Sequence, residues 1–363
     1  MSKKESCICK KASIGGQALI EGIMMRGPKK TALAVRNPQG EMVVETSDNK
    51  VSKRAKIFKL PIIRGVFNFV DSMAIGYKAL MRSAEISGLE EIEDEMKREK
   101  AEKKAEKARK KGKTVEISEE SGDEKKESNF FINFIMVISM VLGVVLGLAL
   151  FMMLPSFVYK WTTQLLPFLK PESPALASFV KSLFEGVLKI IIIVAYMLLV
   201  SLMKDIRRTF QYHGAEHKTI FCYEHGKELT VENVRLERRF HPRCGTSFII
   251  LMLIVSIFIS FLIDPIAILI TGGVPPTLIR SVIKLLLLPL MMGVGYELIK
   301  IAGKYDNTFT KIISAPGMWL QHVTVLEPTD DMIECAIAAF IEVIPEEEKK
   351  ETEETEKTED KED

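Results

Sequence analysis

YHGAEHKTIFCYEHGKELTVENVRLERRFHPRCGT, residues 212–246, holds four of the five histidines and two of the five cysteines of a 363-residue chain, and long apolar runs flank it on both sides. Ligand-type side chains gathered between two membrane-length segments put a polar site on a membrane scaffold. That decides both the fold class and the place to look for function.

His213, Glu216 and His217 form an H-x-x-E-H pattern, and the absence of proline from Lys204 to Lys227, with Gly226 as the stop, predicts a helix. Histidines at i and i+4 share one face about one turn apart, a separation suited to two imidazoles on one metal. Glu216 lies between them, placed to act as a ligand, as an acceptor from an imidazole N–H, or as a general base on a metal-activated water. H-x-x-E-H is also the signature of the inverted zincins.

His241-Pro242-Arg243-Cys244-Gly245 resembles a zinc-knuckle turn, C-P-x-C-G, with histidine in place of the first cysteine. Such a turn aims backbone N–H groups at the thiolate and lets two ligands three residues apart share a metal. Two arrangements follow. If His213, His217, His241 and Cys244 all bind, the tetrahedron is closed, the zinc is structural and Glu216 stands behind the ligands. If only three bind, a water takes the open position and Glu216 can activate it for hydrolysis. Against both stands the ordinary role of a histidine as a satisfied polar side chain at a membrane interface. Cys222 lies on the far side of the helix from His213, Glu224 stands roughly 16 Å further along the axis, and His225 beside Gly226 suits a helix C-cap.

Hydrophobic content of 47% beside 27% charged residues means segregation into blocks, as in a membrane protein with soluble appendages. The net charge of +2 and the absence of aromatic interleaving among the basic residues exclude a nucleic-acid footprint. Five cysteines without framework spacing argue against a disulfide scaffold. The start, MSKKESCICKK, leads into no apolar h-region, so no cleavable secretory signal is expected. Cys7 and Cys9 there are read as unstructured terminal thiols.

The expected fold is a mainly α membrane protein with about four transmembrane helices, a small N-terminal β element, an amphipathic helix and a cytoplasmic metal-site loop. Residues 1–60 carry the β element, with two strand-like runs around the turn Asn37-Pro38-Gln39-Gly40. Gln17, Glu21 and Arg26 are its polar candidates. Residues 61–88 form the amphipathic helix, favoured to lie in the membrane interface. Residues 89–128 are a charged tether, disordered or helical. Transmembrane helices 1 and 2 occupy 129–203, the metal-site loop 204–246, helices 3 and 4 residues 247–299, a cytoplasmic segment 300–345 and a disordered charged tail 346–363. The apolar segments themselves are Phe130 to Leu154, Ser182 to Met203, Ser247 to Ile263 and Leu278 to Ile299. Glu185 and Lys189, an i, i+4 pair, mark the second segment, and Lys284 and Pro289 mark the fourth, as atypical spans.

Nine Lys or Arg lie between Lys204 and Thr246, against three from Pro155 to Lys181, so the positive-inside rule makes the central loop cytoplasmic. Four spans then put both termini in the cytoplasm of a cell-membrane protein, where Cys222 and Cys244 stay reduced and free to bind metal. After the last span, Trp319 is a candidate interface anchor, a helix is expected from about Asp330 to Val343, and His322 and Glu327 are outside candidates for an extra ligand.

GGQALIEGIMMRG, YHGAEHKTI, YEHGKELTVENVR, HPRCGTSF and PGMWLQ resemble the bacterial YqhQ family. The resemblance covers nearly everything except the tether and tail. It implies a multi-pass membrane protein of a family labelled a predicted metal-dependent enzyme, and it supplies no substrate. The leading expectation from the residues is a metal-dependent integral-membrane hydrolase, a peptidase among the options, with zinc favoured and iron or copper as other transition metals these donors bind, His213, His217 and His241 or Cys244 on the metal and Glu216 as catalytic base. The rival is a non-enzymatic membrane scaffold or assembly factor with structural zinc. Membrane lipid and a membrane-protein partner or substrate are the expected partners.

Overall fold

The computed structural model describes residues 13–49, 60–88, 124–273, 275–305 and 307–345. Cys7 and Cys9, residues 89–123 of the tether and the 346–363 tail lie outside them. Two compact units form: Met1–Leu89 with Ile192–Val255 and Leu288–Asp363, and Glu90–Ile191 with Ser256–Leu287.

In the first unit, β1 (Gly15–Leu19), β2 (Gly22–Arg26), β3 (Lys30–Arg36) and β4 (Met42–Asp48) make an antiparallel meander in sequence order. The expected β element is thus four strands rather than two. The reason lies in β2 and β3, which are buried on both faces and therefore read as continuous apolar runs without alternation. Ile23, Met25, Ala32 and Ala34 face one core, and Leu19, Met24, Leu33 and Val35 face another. The first core is closed by α4 (Lys204–Glu224), contributing Tyr212, Ala215, Ile220 and Cys222, and by α10 (Asp330–Val343), contributing Met332, Ile333 and Phe340. The second is covered by Ile75, Ala79, Leu80 and Ile86 of α1 (Ile63–Ile86). The sheet is a partition between two helical layers. Its β1 edge touches α4, the helix that carries H-x-x-E-H.

α1 is tied to α8 (Leu288–Lys304) by a two-pronged Arg64–Glu297 pair, at 2.7 and 2.5 Å, and by Asn68 donating to the Tyr296 hydroxyl at 2.8 Å. Phe67, Val70, Met73, Tyr77 and Met81 remain exposed along α1 at helical spacing.

The second unit is built from apolar helices: α2 (Glu124–Leu165), most of α3 (Pro174–Val200), the latter part of α6 (Gly245–Thr271), and α7 (Thr277–Leu286). Val141–Leu165, Pro174–Val200 and Gly245–Ile270 are long and apolar enough to cross a membrane, and α7 with α8 makes a fourth if that bent pair is one span. A membrane location is supported on that ground. Glu185 accepts from Ser156 at 2.7 Å and from Lys284 of α7 at 3.2 Å, and Arg280 donates to Ser182 at 2.6 Å. The charges that made the second and fourth segments atypical therefore answer one another, because a buried charge in an apolar unit persists only when paired. Glu185 takes Lys284 as its partner, with Lys181 at 3.9 Å, instead of the expected Lys189.

Candidate metal centre

α4 runs from Lys204 to Glu224, His225 is its C-cap, and Gly226 follows at φ +66°, the left-handed conformation that glycine adopts freely. Its i, i+4 histidines meet as expected, with the His213 and His217 ring centroids 4.5 Å apart. Cys244 precedes α6 and brings its sulfur to 3.1 Å from His213 Nε2. Ligand atoms of His213, His217 and Cys244 all lie within 4.8 Å of one another, the one such group among the described residues.

The three side chains are held from behind. His213 Nδ1–H donates to the Thr324 carbonyl at 2.9 Å and His217 Nδ1–H to the Arg239 carbonyl at 2.5 Å, so each ring turns its Nε2 lone pair toward the shared space. Cys244 Sγ accepts from the Thr246 N–H at 3.4 Å, at the start of a helix whose dipole favours a thiolate. The knuckle expectation that backbone amides point at the sulfur is met there. In a tetrahedral zinc site neighbouring N and S donors sit roughly 3.5 Å apart, so small side-chain adjustments seat an ion between these three groups.

Burial would lower the His213 pKa, but the Cys244 sulfur beside it overrides burial and pushes the imidazole up to about 9. Burial would likewise raise the Cys244 thiol, yet His213 and His217 hold it well below its ordinary range. A thiol whose proton is held this loosely suits a divalent cation, since a metal binds the thiolate and releases its proton.

Glu216 is buried against β1. Burial raises its carboxyl above the usual range, and His213 and His217 pull the other way. Gly16 N–H donates to this carboxylate, and a Cβ on Gly16 would stand 2.9 Å from Glu216 Cδ and 2.8 Å from Met25 Sδ. Gly16→Ala is therefore expected to displace Glu216 while leaving the three candidate ligands in place. Metal content unchanged from the parent, with the Glu216 carboxylate moved off the Gly16 N–H, is the expected readout. Gly15→Ala is the control, since nothing lies within 4 Å of its added Cβ.

His241 stands next to the cluster without joining it. Gln321 clamps its backbone, accepting from His241 N and donating to His241 O, both at 2.8 Å, and donates to Ser247 Oγ at 3.0 Å. The Arg243 N–H donates to His241 Nδ1 at 3.2 Å, and Nε2 faces Glu224 Oε2 at 3.6 Å. Glu224, excluded from the metal by distance along the helix, pairs with Arg243. Cys222 is a core thiol facing the Glu228 carbonyl at 3.3 Å, and His225 pairs with Glu237 at 2.8 Å. Glu327 pairs with Lys218 and Arg239, while His322 stacks on Phe240 with centroids 4.4 Å apart. Glu21 takes a two-pronged contact from Arg208 at 2.5 Å, more than one turn before His213 on α4.

Gln321, Thr324 and Gly16 were not named from sequence as parts of the site. Gln321 and Gly16 sit in PGMWLQ and GGQALIEG and Thr324 lies three residues past the first, but a clamping amide, a glycine N–H and a backbone carbonyl carry no ligand chemistry that a sequence displays.

The profile of a family described as "Protein of unknown function (DUF1385)" matches residues 60–346. "Uncharacterized protein YqhQ" from Bacillus subtilis (strain 168) is 30% identical over 332 residues, covering 91% of this chain and 92% of the relative. No solved structure matches. Coverage of that extent takes in both units and every residue of the His/His/Cys cluster, and the chain belongs to the DUF1385/YqhQ family of bacterial proteins.

Proposed function

We propose that this protein is a metal-dependent hydrolase of the membrane, with zinc held by His213, His217 and Cys244. Mixed imidazole and thiolate donors favour zinc. One observation carries the reading: three ligand atoms converge while a fourth candidate, His241, is turned to Glu224, which leaves a coordination position beside a buried carboxylate. When bound, such an ion polarises a carbonyl or phosphoryl oxygen and lowers the pKa of water. Glu216 would accept the proton from the attacking water and pass it to the departing amine or alkoxide, with the Gly16 N–H holding the carboxylate in position. Peptide bonds are the substrate class that H-x-x-E-H suggests, though the chemistry serves any activated ester or amide.

The site and both termini are placed on the cytoplasmic face, supported by the nine basic residues of the central loop. α1 lies in the interface of that membrane, supported by its exposed apolar stripe.

Elemental analysis and X-ray absorption on detergent-purified protein test the metal assignment. One zinc per chain is expected, with two imidazoles, one sulfur and a light oxygen. Cys244→Ala is expected to weaken zinc at least about 100-fold, since loss even of a group behind a ligand costs 10 to 100-fold. A shell of three imidazoles and one sulfur would return His241 to the metal and mark the zinc as structural.

A further inference from the structure

A cavity of about 1100 Å³ reaches from Lys218 and His241 to the end of α8 and to α9 (Thr308–Thr324). It adjoins the cluster, since the His241 ring centroid is 5.6 Å from that of His217. Lys218, Arg238, Arg239, Arg243 and Lys311 line it, against three carboxylates. Glu224 pairs with Arg243, Glu327 with Lys218 and Arg239, and Glu237 with His225 and Lys227, so three of the five lining cations are engaged along with the carboxylates. The surplus charge of the lining is positive, and three of its five cations are arginines, whose planar fork suits a phosphate.

His241 supplies a second, independent observation. Its Nδ1 accepts from a backbone N–H, so in the neutral ring Nε2 carries the proton. That Nε2–H is buried and has no hydrogen-bond partner among the described residues, its nearest carboxylate oxygen lying at 3.6 Å, beyond hydrogen-bond reach. A buried donor without an acceptor is costly, and an anion in the cavity relieves it. The rest of the lining includes Ala302, Ala315, Met318 and Trp319, the last with 71% of its surface exposed. An indole exposed on a membrane protein marks a place where apolar chains and polar headgroups meet.

We infer that this cavity binds a phosphate group, presented either as a phospholipid headgroup or as free phosphate, with His241 Nε2–H and Arg238 as donors. The inference deepens the hydrolase reading by naming the chemistry held next to the metal, and it rests on that reading only for the fate of the bound molecule.

Trp319 is a built-in reporter, because the only other tryptophan, Trp161, can be replaced by phenylalanine. The full chain carrying Trp161→Phe, zinc-loaded in detergent, would be titrated with inorganic phosphate, short-chain phosphatidylglycerol and short-chain phosphatidylcholine while Trp319 emission is followed. A saturable shift with phosphatidylglycerol, displaced by phosphate, is expected and assigns a lipid source. A shift with phosphate that phosphatidylglycerol does not compete supports the site with free phosphate as its ligand. The exposed pair Arg238→Glu and Lys311→Glu, together, should weaken either shift at least about tenfold. His213→Ala should leave the shift in place while zinc is lost, which separates failure of the cavity from failure of the metal reading. The proposal is overturned if neither phosphate nor phosphatidylglycerol gives a saturable shift. It is equally overturned if phosphatidylcholine matches phosphatidylglycerol and the charge reversals change nothing, or if His213→Ala alone abolishes binding.

Discussion

Glu216→Gln is expected to keep its zinc and lose about 100 to 10,000-fold in turnover, the usual contribution of a positioned base. Glutamine preserves the size of the side chain and an oxygen to accept the Gly16 N–H, so the packing against β1 survives. It removes only the capacity to take a proton. The residue is buried and near both histidines, so no solvent carboxylate can replace it. The measurement is paired: zinc per chain by elemental analysis, and initial rates against whichever substrate a screen of peptides and esters returns. If zinc is a clamp in a non-enzymatic scaffold, the same variant is silent in folding, metal content and any partner binding. Turnover that survives Glu216→Gln at the native rate removes the carboxylate from the mechanism.

What could be read from sequence was local. H-x-x-E-H needs only the pitch of a helix to put two imidazoles on one face, and the start of α6 is enough to aim an amide at Cys244. His241 shows the limit of such reading. Its spacing from Cys244 suits a shared metal, but the ring direction depends on Gln321, 80 residues away, and on the Arg243 N–H. The backing carbonyls of Thr324 and Arg239 are equally invisible, because every residue offers a carbonyl and only the fold chooses which one meets an imidazole. The β element was undercounted for a different reason: period-2 alternation exists only where one face of a strand is wet, and β2 and β3 have none. In the fourth apolar segment, proline at position 289 follows the break at Leu287 that divides α7 from α8, as its lack of an N–H donor would suggest.

Gly214→Ala is expected to destabilise the protein by about 3 kcal/mol or more, and to weaken zinc about 10 to 100-fold in whatever remains folded. A methyl group on Gly214 would stand 1.9 Å from the Leu326 carbonyl oxygen and 3.2 Å from Pro328 Cδ. Backbone cannot step aside as a flexible side chain can, so the segment after α9 must move away from α4. Leu326 N–H donates to the Phe210 carbonyl at 2.9 Å and Gln211 to the Glu327 carbonyl at 3.1 Å, and both contacts stretch with that movement. The same displacement draws the Thr324 carbonyl from His213 Nδ1, freeing the ring to rotate its Nε2 off the metal. Helix propensity works in the opposite direction, favouring alanine over glycine by about 1 kcal/mol, so a net loss isolates the steric term. Denaturant unfolding in detergent reads the first effect and chelator competition for zinc the second. An alanine variant as stable as the parent would mean that α4 and the 324–328 segment do not touch backbone to backbone, and the support of His213 would then have to come from elsewhere.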